Sequence, residues 1–167
     1  SSGLWRYNIG DTIQFTEINP FRIIVTGRIK HFISAFGEHV IGKEVETTIR
    51  EISLKSKLKV REFTVAPQVN PKVGLPFHEW FIEFDEINDN LEAIEIQMDR
   101  IMQKQNIYYK DLIQGKILSP LKITKIKKGG FNHYMKSIGK LGGQNKVPHL
   151  SNDRRIADKI KKYIMNQ

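Results

Sequence analysis

Three groups of residues have types and spacing that could bind sugar hydroxyls or anions, and the first is the pair Gly10-Asp11. A glycine turn followed by an aspartate at the start of a strand can present a carboxylate to the vicinal hydroxyls of a ribose. The same pair can also be an ordinary turn, in which the aspartate bonds to its own backbone. The residues alone leave both interpretations open.

The second group is the basic segment 27–30, in which Arg28 and Lys30 flank one isoleucine. The planar guanidinium of Arg28 can match the oxygens of a ribose or a phosphate. An aromatic strand, a glycine and a helix carrying Glu44 and Glu46 follow, an order that resembles the hinge region of adenylate-forming enzymes. A pair of solvated surface charges is the alternative.

The third group is a glycine-bearing loop at residues 142–148 that contains Lys146. A lysine on such a loop can swing into a site built elsewhere and neutralise charge that develops on a phosphate. A flexible basic loop without a catalytic role is the alternative.

The composition fits one folded domain, or a small domain with an extra hairpin, because 40% of the 167 residues are hydrophobic. The absence of cysteine excludes a disulfide framework, a thiolate metal site and a cysteine nucleophile. The five histidines show no close metal-ligand spacing, so no metal ligands are predicted. No segment reaches the ~18 apolar residues that a transmembrane helix needs. We therefore expect a cytoplasmic protein without a membrane partner.

The net charge of +9 is concentrated in the C-terminal part of the chain. From residue 104 onward there are 15 lysines and arginines against three acids, whereas the first 103 residues carry a net charge of −3. A basic region attracts nucleic acid, anionic lipid or the phosphates of a nucleotide. One alternative function is therefore a nucleic-acid-binding module, with Tyr108, Tyr109, Phe131 and Tyr134 as candidates for base stacking. A stand-alone interaction domain without catalysis is another.

The elements that must position these residues alternate between strands and helices, which predicts an α+β fold. A short N-terminal β-meander is expected from runs at 4–7, 11–16 and 21–26. A compact domain with a small, mostly antiparallel sheet flanked by helices is expected after it. Further strands are predicted at 31–35, 59–69, 77–84 and 121–126. Helices are predicted at 42–58, 88–105, 108–113, 131–138 and 152–165.

Helix caps and inward-facing stripes complete this prediction. Asn88 or Asp89 is the expected N-cap of the helix at 88–105, and Ser151 is the expected N-cap of the last helix. The inward stripe of the first helix is predicted to consist of Val45, Ile49, Ile52 and Leu54. That of the second is predicted to consist of Leu91, Ile94, Met98, Ile101 and Met102.

These groups together resemble one family over essentially the whole chain. The motifs are Arg6-Tyr7 with Gly10-Asp11, the run from Gln144 to Pro148 around Lys146, and the stretches 63–67 and 78–84. The chain resembles the C-terminal region of the auxin-responsive acyl-acid amido synthetases, the plant Gretchen Hagen type, in a bacterial form. These enzymes belong to the adenylate-forming superfamily.

The resemblance implies ATP as cofactor and a role for each site residue. Asp11 would accept hydrogen bonds from the ribose hydroxyls of ATP or AMP, and Tyr7 would pack in the nucleotide pocket. Arg28 and Lys30 would lie at the hinge near the ribose and phosphates, and either of them can be the main contact. Lys146 would be the catalytic residue that reaches the α-phosphate and the acyl oxygens.

The implied reaction joins a small carboxylic acid to an amine, usually that of an amino acid, through an acyl-adenylate. Magnesium would offset phosphate charge and would be held mainly outside this chain. Because the chain begins at Ser1 without methionine, we expect it to be cut from a longer polypeptide and to be inactive alone. Residues 1–29 would be a remnant of a large N-terminal domain and hinge, and residues 30–167 a C-terminal lid domain. Nucleic acid is not an expected partner in this interpretation.

Overall fold

The computed structural model describes residues 10–28, 32–87, 90–140, 142 and 146–165, with only the backbone described at 26–28. The strand predicted at 4–7 and the predicted site residues Tyr7 and Lys30 lie outside these ranges. Within them the α+β fold class is confirmed, with an N-terminal hairpin followed by a sheet that carries helices on both faces.

The secondary structure follows the predicted order closely. The strands are β1 (Asp11–Ile18), β2 (Phe21–Arg28), β3 (Phe32–Ile33), β4 (Val40–Ile41), β5 (Lys59–Gln68), β6 (Phe77–Glu86) and β7 (Lys122–Ile126). The helices are α1 (Gly42–Lys55), α2 (Leu91–Gln105), α3 (Ile107–Gln114), α4 (Gly130–Ser137) and α5 (Arg155–Ile160).

Strands β1 and β2 form a separate antiparallel hairpin, which is the described part of the predicted meander. Asp11 pairs with Arg28 at its open end. The hairpin contacts α1, where the ammonium of Lys43 donates to the side-chain oxygen of Gln14 at 3.5 Å. Most of its apolar side chains are nevertheless exposed. They are Ile13, Phe15, Ile18, Phe21, Ile23, Ile24 and Val25.

The central sheet has the strand order β5-β6-β7 and is mixed. Strands β5 and β6 form an antiparallel hairpin, whereas β7 pairs with β6 in parallel. The parallel pairing follows from the connection, because the chain passes through α2 and α3 before it returns beside β6.

The elements that follow the β1–β2 hairpin, from β3 to the end of the described chain, are called the body below. Strand β6 is buried on both faces and divides the body into two hydrophobic cores. Trp80, Ile82 and Phe84 pack in the core formed with α1, α2 and α3. Phe81 packs in the other core, formed with α4 and α5. Successive side chains of a strand point to opposite faces, so helices on both sides cover nearly every residue of β6.

Helix α1 is shorter than predicted, and one member of its predicted stripe is wrong. The helix ends at Lys55 rather than at residue 58. Val45 and Ile52 are fully buried, but Leu54 is exposed. Two positions along an α-helix correspond to a rotation of about 200°, so Leu54 lies on the face opposite Ile52.

Helix α2 has the predicted inward stripe but a different cap. Its N-cap is Asn90, whose side-chain oxygen accepts from the amide of Glu92 at 3.0 Å, and not Asn88 or Asp89. The buried members of the stripe are Ile94, Met98, Ile101 and Met102.

The last predicted helix is much shorter than 152–165. Helix α5 is followed by a 3-10 turn (Lys161–Tyr163), and Ile164 forms an antiparallel bridge with Ile126. Ser151 is not the N-cap, since α5 begins at Arg155 and Arg154 is its N-cap, and the amide of Ser151 donates to the carbonyl of Val65 at 3.0 Å. Tertiary pairing with β5 and β7 therefore competes with helix formation at both ends of this segment. Among the described residues, no helix is long and apolar enough to cross a membrane.

Candidate functional site

Lys146 directly precedes a segment that is fastened to the edge of the central sheet. The amide of Val65 donates to the carbonyl of His149 at 2.9 Å, and the amide of Ser151 donates to the carbonyl of Val65 at 3.0 Å. Leu150 thereby forms a parallel bridge with Val65. These two bonds add a short extended segment beside β5.

Two further contacts hold this segment close to Lys146 itself. Val147 is buried in the core shared with α4 and α5. The hydroxyl of Thr64 donates to the carbonyl of Pro148 at 2.7 Å. The side chain of Lys146 is exposed, so an exposed ammonium group is attached to a fixed backbone position.

Lys146 lines a cleft of ≈ 240 Å³ on the α4 side of the sheet. The walls come from β5, β6, α4 and the chain that follows α4. The charged or amide-bearing residues that line it are Arg61, Glu62, Glu83, Asn132, Lys140 and Lys146.

Glu83 is the most deeply buried of the carboxylates that line the cleft, with a relative exposure of 1%. Its two oxygens accept hydrogen bonds from the amides of Gly129 at 2.7 Å and Phe131 at 3.2 Å. These amides lie at the N-terminus of α4, where unpaired N–H groups and the helix dipole favour negative charge. Glu83 therefore fixes α4 to the sheet.

The other cations and carboxylates on the β5 side of the cleft are also paired. Nε of Arg61 donates to Asp85 at 2.7 Å and lies 3.8 Å from Glu83. The hydrogen bond to Asp85 raises the pKa of Arg61. Glu62 is bound by His149, with 3.2 Å between the carboxylate oxygen and Nε2. Every carboxylate that lines the cleft thus has a partner.

His149 joins two elements through both of its ring nitrogens. Nδ1 lies 3.2 Å from a carboxylate oxygen of Glu46 in α1, and Nε2 lies 3.2 Å from one of Glu62 in β5. The ring also stacks on Phe63 with 4.2 Å between centroids. The hydrogen bond to Glu62 raises the pKa of His149, partial burial opposes this, and the bond to Glu46 adds to the rise. The protonated ring is therefore favoured, in which both nitrogens donate.

Two ammonium groups that line the cleft, those of Lys140 and Lys146, form no ion pair with the described part of the chain. Both side chains are exposed. An ammonium group without a carboxylate partner is available to an anion, and phosphate oxygens are strong acceptors for it. The cleft can therefore bind an anionic group at its mouth.

A network behind the cleft holds α5 to the sheet. Arg154 donates to Glu79 at 2.6 Å and to the carbonyl of Pro67 at 3.0 Å. The hydroxyl of Thr124 donates to the other oxygen of Glu79 at 2.7 Å. Since Glu79 is buried, these bonds satisfy a charge that would otherwise destabilise the fold.

The opposite side of the sheet contains a second set of ionisable groups, and all of them are interior. Nε2 of His78 lies 2.8 Å from a carboxylate oxygen of Glu38, and both side chains are buried. Burial raises the pKa of Glu38, but hydrogen bonds from His78 and the Phe36 amide outweigh it and the pKa is lowered. Burial and the nearby Asp99 raise the pKa of Tyr109 well above its usual value. We assign these groups a structural role.

No cluster of three or more histidines, aspartates or glutamates within the described ranges is suited to hold a metal ion. The magnesium that the resemblance implies stays a prediction.

The predicted site residues fall into two places. Asp11 is half-buried at the start of β1, after Gly10 with its φ of 76°, and its register partner is Arg28. This hairpin contacts α1, whereas the cleft of Lys146 opens on the α4 side of the sheet. The binding roles of Asp11, Arg28 and Lys146 stay predictions.

No role was predicted for five charged or ionisable residues of the site: Arg61, Glu62, Glu83, Lys140 and His149. Arg61 is distant from Lys146 in sequence, whereas Lys140 lies only six residues before it, and both look like ordinary surface charges. His149 stands three residues after Lys146, and this closeness was the available signal. Glu83 had a clearer one, since it is a charged residue in a strand predicted from its apolar alternation.

The residues proposed for base stacking are mostly inaccessible. Tyr109, Phe131 and Tyr134 are buried, and of the four candidates only Tyr108 is exposed, at 60%. Buried rings cannot stack on bases, so the aromatic basis for a nucleic-acid-binding module is wrong for three of its four residues.

Comparisons with known proteins identify relatives of the domain. The model of the GH3 family C-terminal domain matches residues 41–155. The chain is similar in structure to a GH3.15 acyl acid amido synthetase, with a TM-score of 0.76, 19% identity, and coverage of 99% of this chain and 32% of that one. It is also similar to the AtGH3.15 acyl acid amido synthetase in complex with 2,4-DB, with a TM-score of 0.73, 18% identity and coverage of 99% and 31%.

The identity and the coverage decide what these structural similarities show. At 18–19% identity they show a shared fold. The chain spans about a third of the length of the two synthetases. None of the curated proteins compared with the chain matches it.

Proposed function

The chain belongs to the GH3 family, through that family's C-terminal domain at residues 41–155, and we propose that it is the C-terminal lid of an ATP-dependent acyl-acid amido synthetase. The family match and the shared fold confirm the resemblance to the C-terminal region of that family, and the bacterial form stays a prediction. The observation that carries the proposed activity is the exposed Lys146, which has no ion-pair partner among the described residues and directly precedes a segment bonded to β5, at the mouth of a cleft.

The proposed reaction has two steps. A carboxylate oxygen of the acid attacks the α-phosphate of ATP, which forms an acyl-adenylate and releases pyrophosphate. The amine of a second substrate, such as an amino acid, then attacks the acyl carbon, loses a proton and releases AMP. Magnesium would offset phosphate charge when bound, and we assign its ligands mainly to residues outside this chain.

Lys146 is the proposed catalytic residue because its ammonium can approach the α-phosphate and acyl oxygens from the lid. Negative charge grows on these oxygens in the transition state, and a positioned donor stabilises that charge. Among the described residues, the carboxylates of the cleft are held by His149, Arg61 and the amides of α4, so Lys146 is available to contact a phosphate.

The hairpin supplies the proposed ribose side of the nucleotide site. Asp11 accepts from the ribose hydroxyls, and Arg28, opposite it in the register, lies near the ribose and phosphates together with Lys30. Tyr7 packs in the same nucleotide pocket.

We further propose that residues 1–29 belong to a large N-terminal domain and its hinge, while residues 30–167 form the lid. The exposed apolar side chains of β1 and β2 support this division, because contiguous apolar surface usually marks an interface. A lid that swings about the hinge can complete one site in two successive steps. The cytoplasm is the proposed location, since ATP and amino acids are both available there.

The test is an ATP–pyrophosphate exchange assay on the complete protein that carries this chain, over a panel of small carboxylic acids. We expect exchange with at least one acid. Lys146→Ala should lower kcat roughly 100-fold with little change in the Michaelis constant for ATP, because the lost donor acts in the transition state. Lys72→Ala, which removes an exposed lysine from the β5–β6 turn, is the matched control.

Two results would contradict the proposal. The absence of exchange with every acid would exclude the ligase activity. An equal loss of kcat in the Lys146→Ala and Lys72→Ala variants would exclude the role of Lys146 and leave the ligase activity intact.

A further inference from the structure

His149 occupies a position that links the catalytic lysine to two separate elements of the body. The carbonyl of His149 is bonded to the amide of Val65, so its backbone is part of the segment that begins after Lys146. Its ring lies between Glu46 and Glu62, the two charged groups that face it from α1 and β5. His149 thus connects the backbone next to Lys146 to α1 and to β5.

Glu62 takes part in two environments at once. It accepts from His149 at 3.2 Å and from the amide of Phe63 at 3.1 Å, and it also lines the cleft together with Lys146 and Lys140. A carboxylate at that place would be a natural partner for either ammonium group if nothing else held it. The contact with His149 therefore helps to keep the carboxylate of Glu62 engaged, and neither lysine forms an ion pair with the described residues.

The aromatic contact gives the arrangement its rigidity. Phe63 is buried, and the ring of His149 stacks on it at a 23° angle between planes. An imidazole that is stacked on one face and bonded at both nitrogens has little rotational freedom.

We propose that His149 is a positioning residue for Lys146, which clamps the lysine-bearing segment to α1 and β5 and holds Glu62 away from the lysine. This inference rests on the proposed function of Lys146. His149 itself touches neither nucleotide nor acid in this role. The raised pKa of His149 supports it, because a protonated ring donates to both carboxylates.

The first variant to examine in the complete protein is His149→Gln, measured by the same exchange assay. We expect kcat to fall roughly tenfold while the Michaelis constant for ATP changes less than about twofold, since a small displacement of a catalytic group affects the transition state most. His149→Arg should recover most of the lost kcat, because a permanent cation can stack on Phe63 and bond both carboxylates. His133→Gln, which changes an exposed histidine on α4, is the matched control.

A double variant isolates the effect on Glu62. In His149→Gln the carboxylate of Glu62 keeps only the amide of Phe63 as a partner and can pair with Lys146, so the further change Glu62→Gln should restore part of kcat. Glu46→Gln removes one of the two partners and should give a smaller loss than His149→Gln. Glu51→Gln, on the same helix but paired with Lys55, should leave kcat unchanged.

Hydrogen exchange at the amides of Val65 and Ser151 gives a readout that does not depend on activity. Their protection should fall in His149→Gln and return in His149→Arg. If the wild-type protein shows no exchange with any acid, the ligase proposal fails, and unchanged protection in His149→Gln would overturn the clamp by itself. A wild-type kcat in His149→Gln, or no recovery in His149→Arg, would also overturn the positioning role.

Discussion

The β1–β2 hairpin and the β5–β6 hairpin are both antiparallel and both rich in apolar and aromatic residues. Their surroundings differ. Strand β6 has helices on both faces and buries Trp80, Phe81 and Ile82 almost completely, whereas Phe15 in β1 is 57% exposed. An apolar strand is therefore buried only where other elements cover it, and its own pattern does not supply that cover.

The same contrast separates the two proposed halves of the site. Asp11 and Arg28 are on the hairpin with the uncovered apolar surface. Lys146 is on the body, where Val147 and Leu150 are buried on either side of the segment. The body buries most of its large apolar side chains, whereas the hairpin leaves most of its own exposed, as expected for a surface that packs on another part.

The largest expected effect is in the core of the body. Trp80→Ala should lower the free energy of unfolding by about 4 kcal/mol, because it opens a large cavity between α1, α2 and the sheet. Phe15→Ala should lower it by less than about 1 kcal/mol in the isolated chain, as is usual for exposed side chains. Urea denaturation of both variants measures the difference. Similar losses would show that the hairpin contributes to the fold as much as β6 does.

An effect of intermediate size is expected for the carboxylate that holds α4. Glu83→Ala should lower the free energy of unfolding by about 2 kcal/mol, because the amides of Gly129 and Phe131 lose a buried acceptor. Glu86→Ala, at an exposed position of the same strand, should change it by less than about 0.5 kcal/mol. Equal values from urea denaturation would mean that Glu83 is not the group that fixes α4.

The two halves of the site should differ in which kinetic constant responds. Asp11→Ala should raise the Michaelis constant for ATP about tenfold and change kcat little, because a ribose contact exists before and during the chemical step. Glu17→Ala, at an exposed position of the same strand, is the control. Steady-state exchange kinetics of the complete protein measure both constants. An unchanged Michaelis constant in Asp11→Ala would exclude the ribose contact.

The smallest expected effect is a pH dependence of the free energy of unfolding, which we attribute to His149 in the body. The folded pKa of His149 is raised above 6.5, so its stabilising contribution is fully present below pH 6.5 and is lost as the pH rises through the folded value. His149→Arg should flatten this dependence, since the guanidinium stays charged. Denaturation series from below pH 6.5 upward would test it. A wild-type slope in His149→Arg would assign the pH dependence to another group.

Particular residues show which features of the fold could be predicted from local sequence pattern. The alternation of β6 and the helical period of α2 predicted both elements, because each pattern repeats with the geometry of its own element. Leu54 was wrongly assigned to the inward-facing stripe of α1, and the last helix was predicted far too long. In the second case the amide of Ser151 and the strand-like Ile164 are engaged by β5 and β7, and such long-range partners leave no local signal.

For the site, sequence alone indicated Lys146 and the Gly10-Asp11 turn, since glycine punctuation and charge are readable in order along the chain. Sequence also determined the family and the α+β class. Only the tertiary structure decided that Arg61, Glu62, Lys140 and His149 lie around Lys146, and that the cleft's carboxylates already have partners. The physical reason is that ion pairing depends on distance in space, and these residues are brought together by the pairing of β5 with the segment after Lys146.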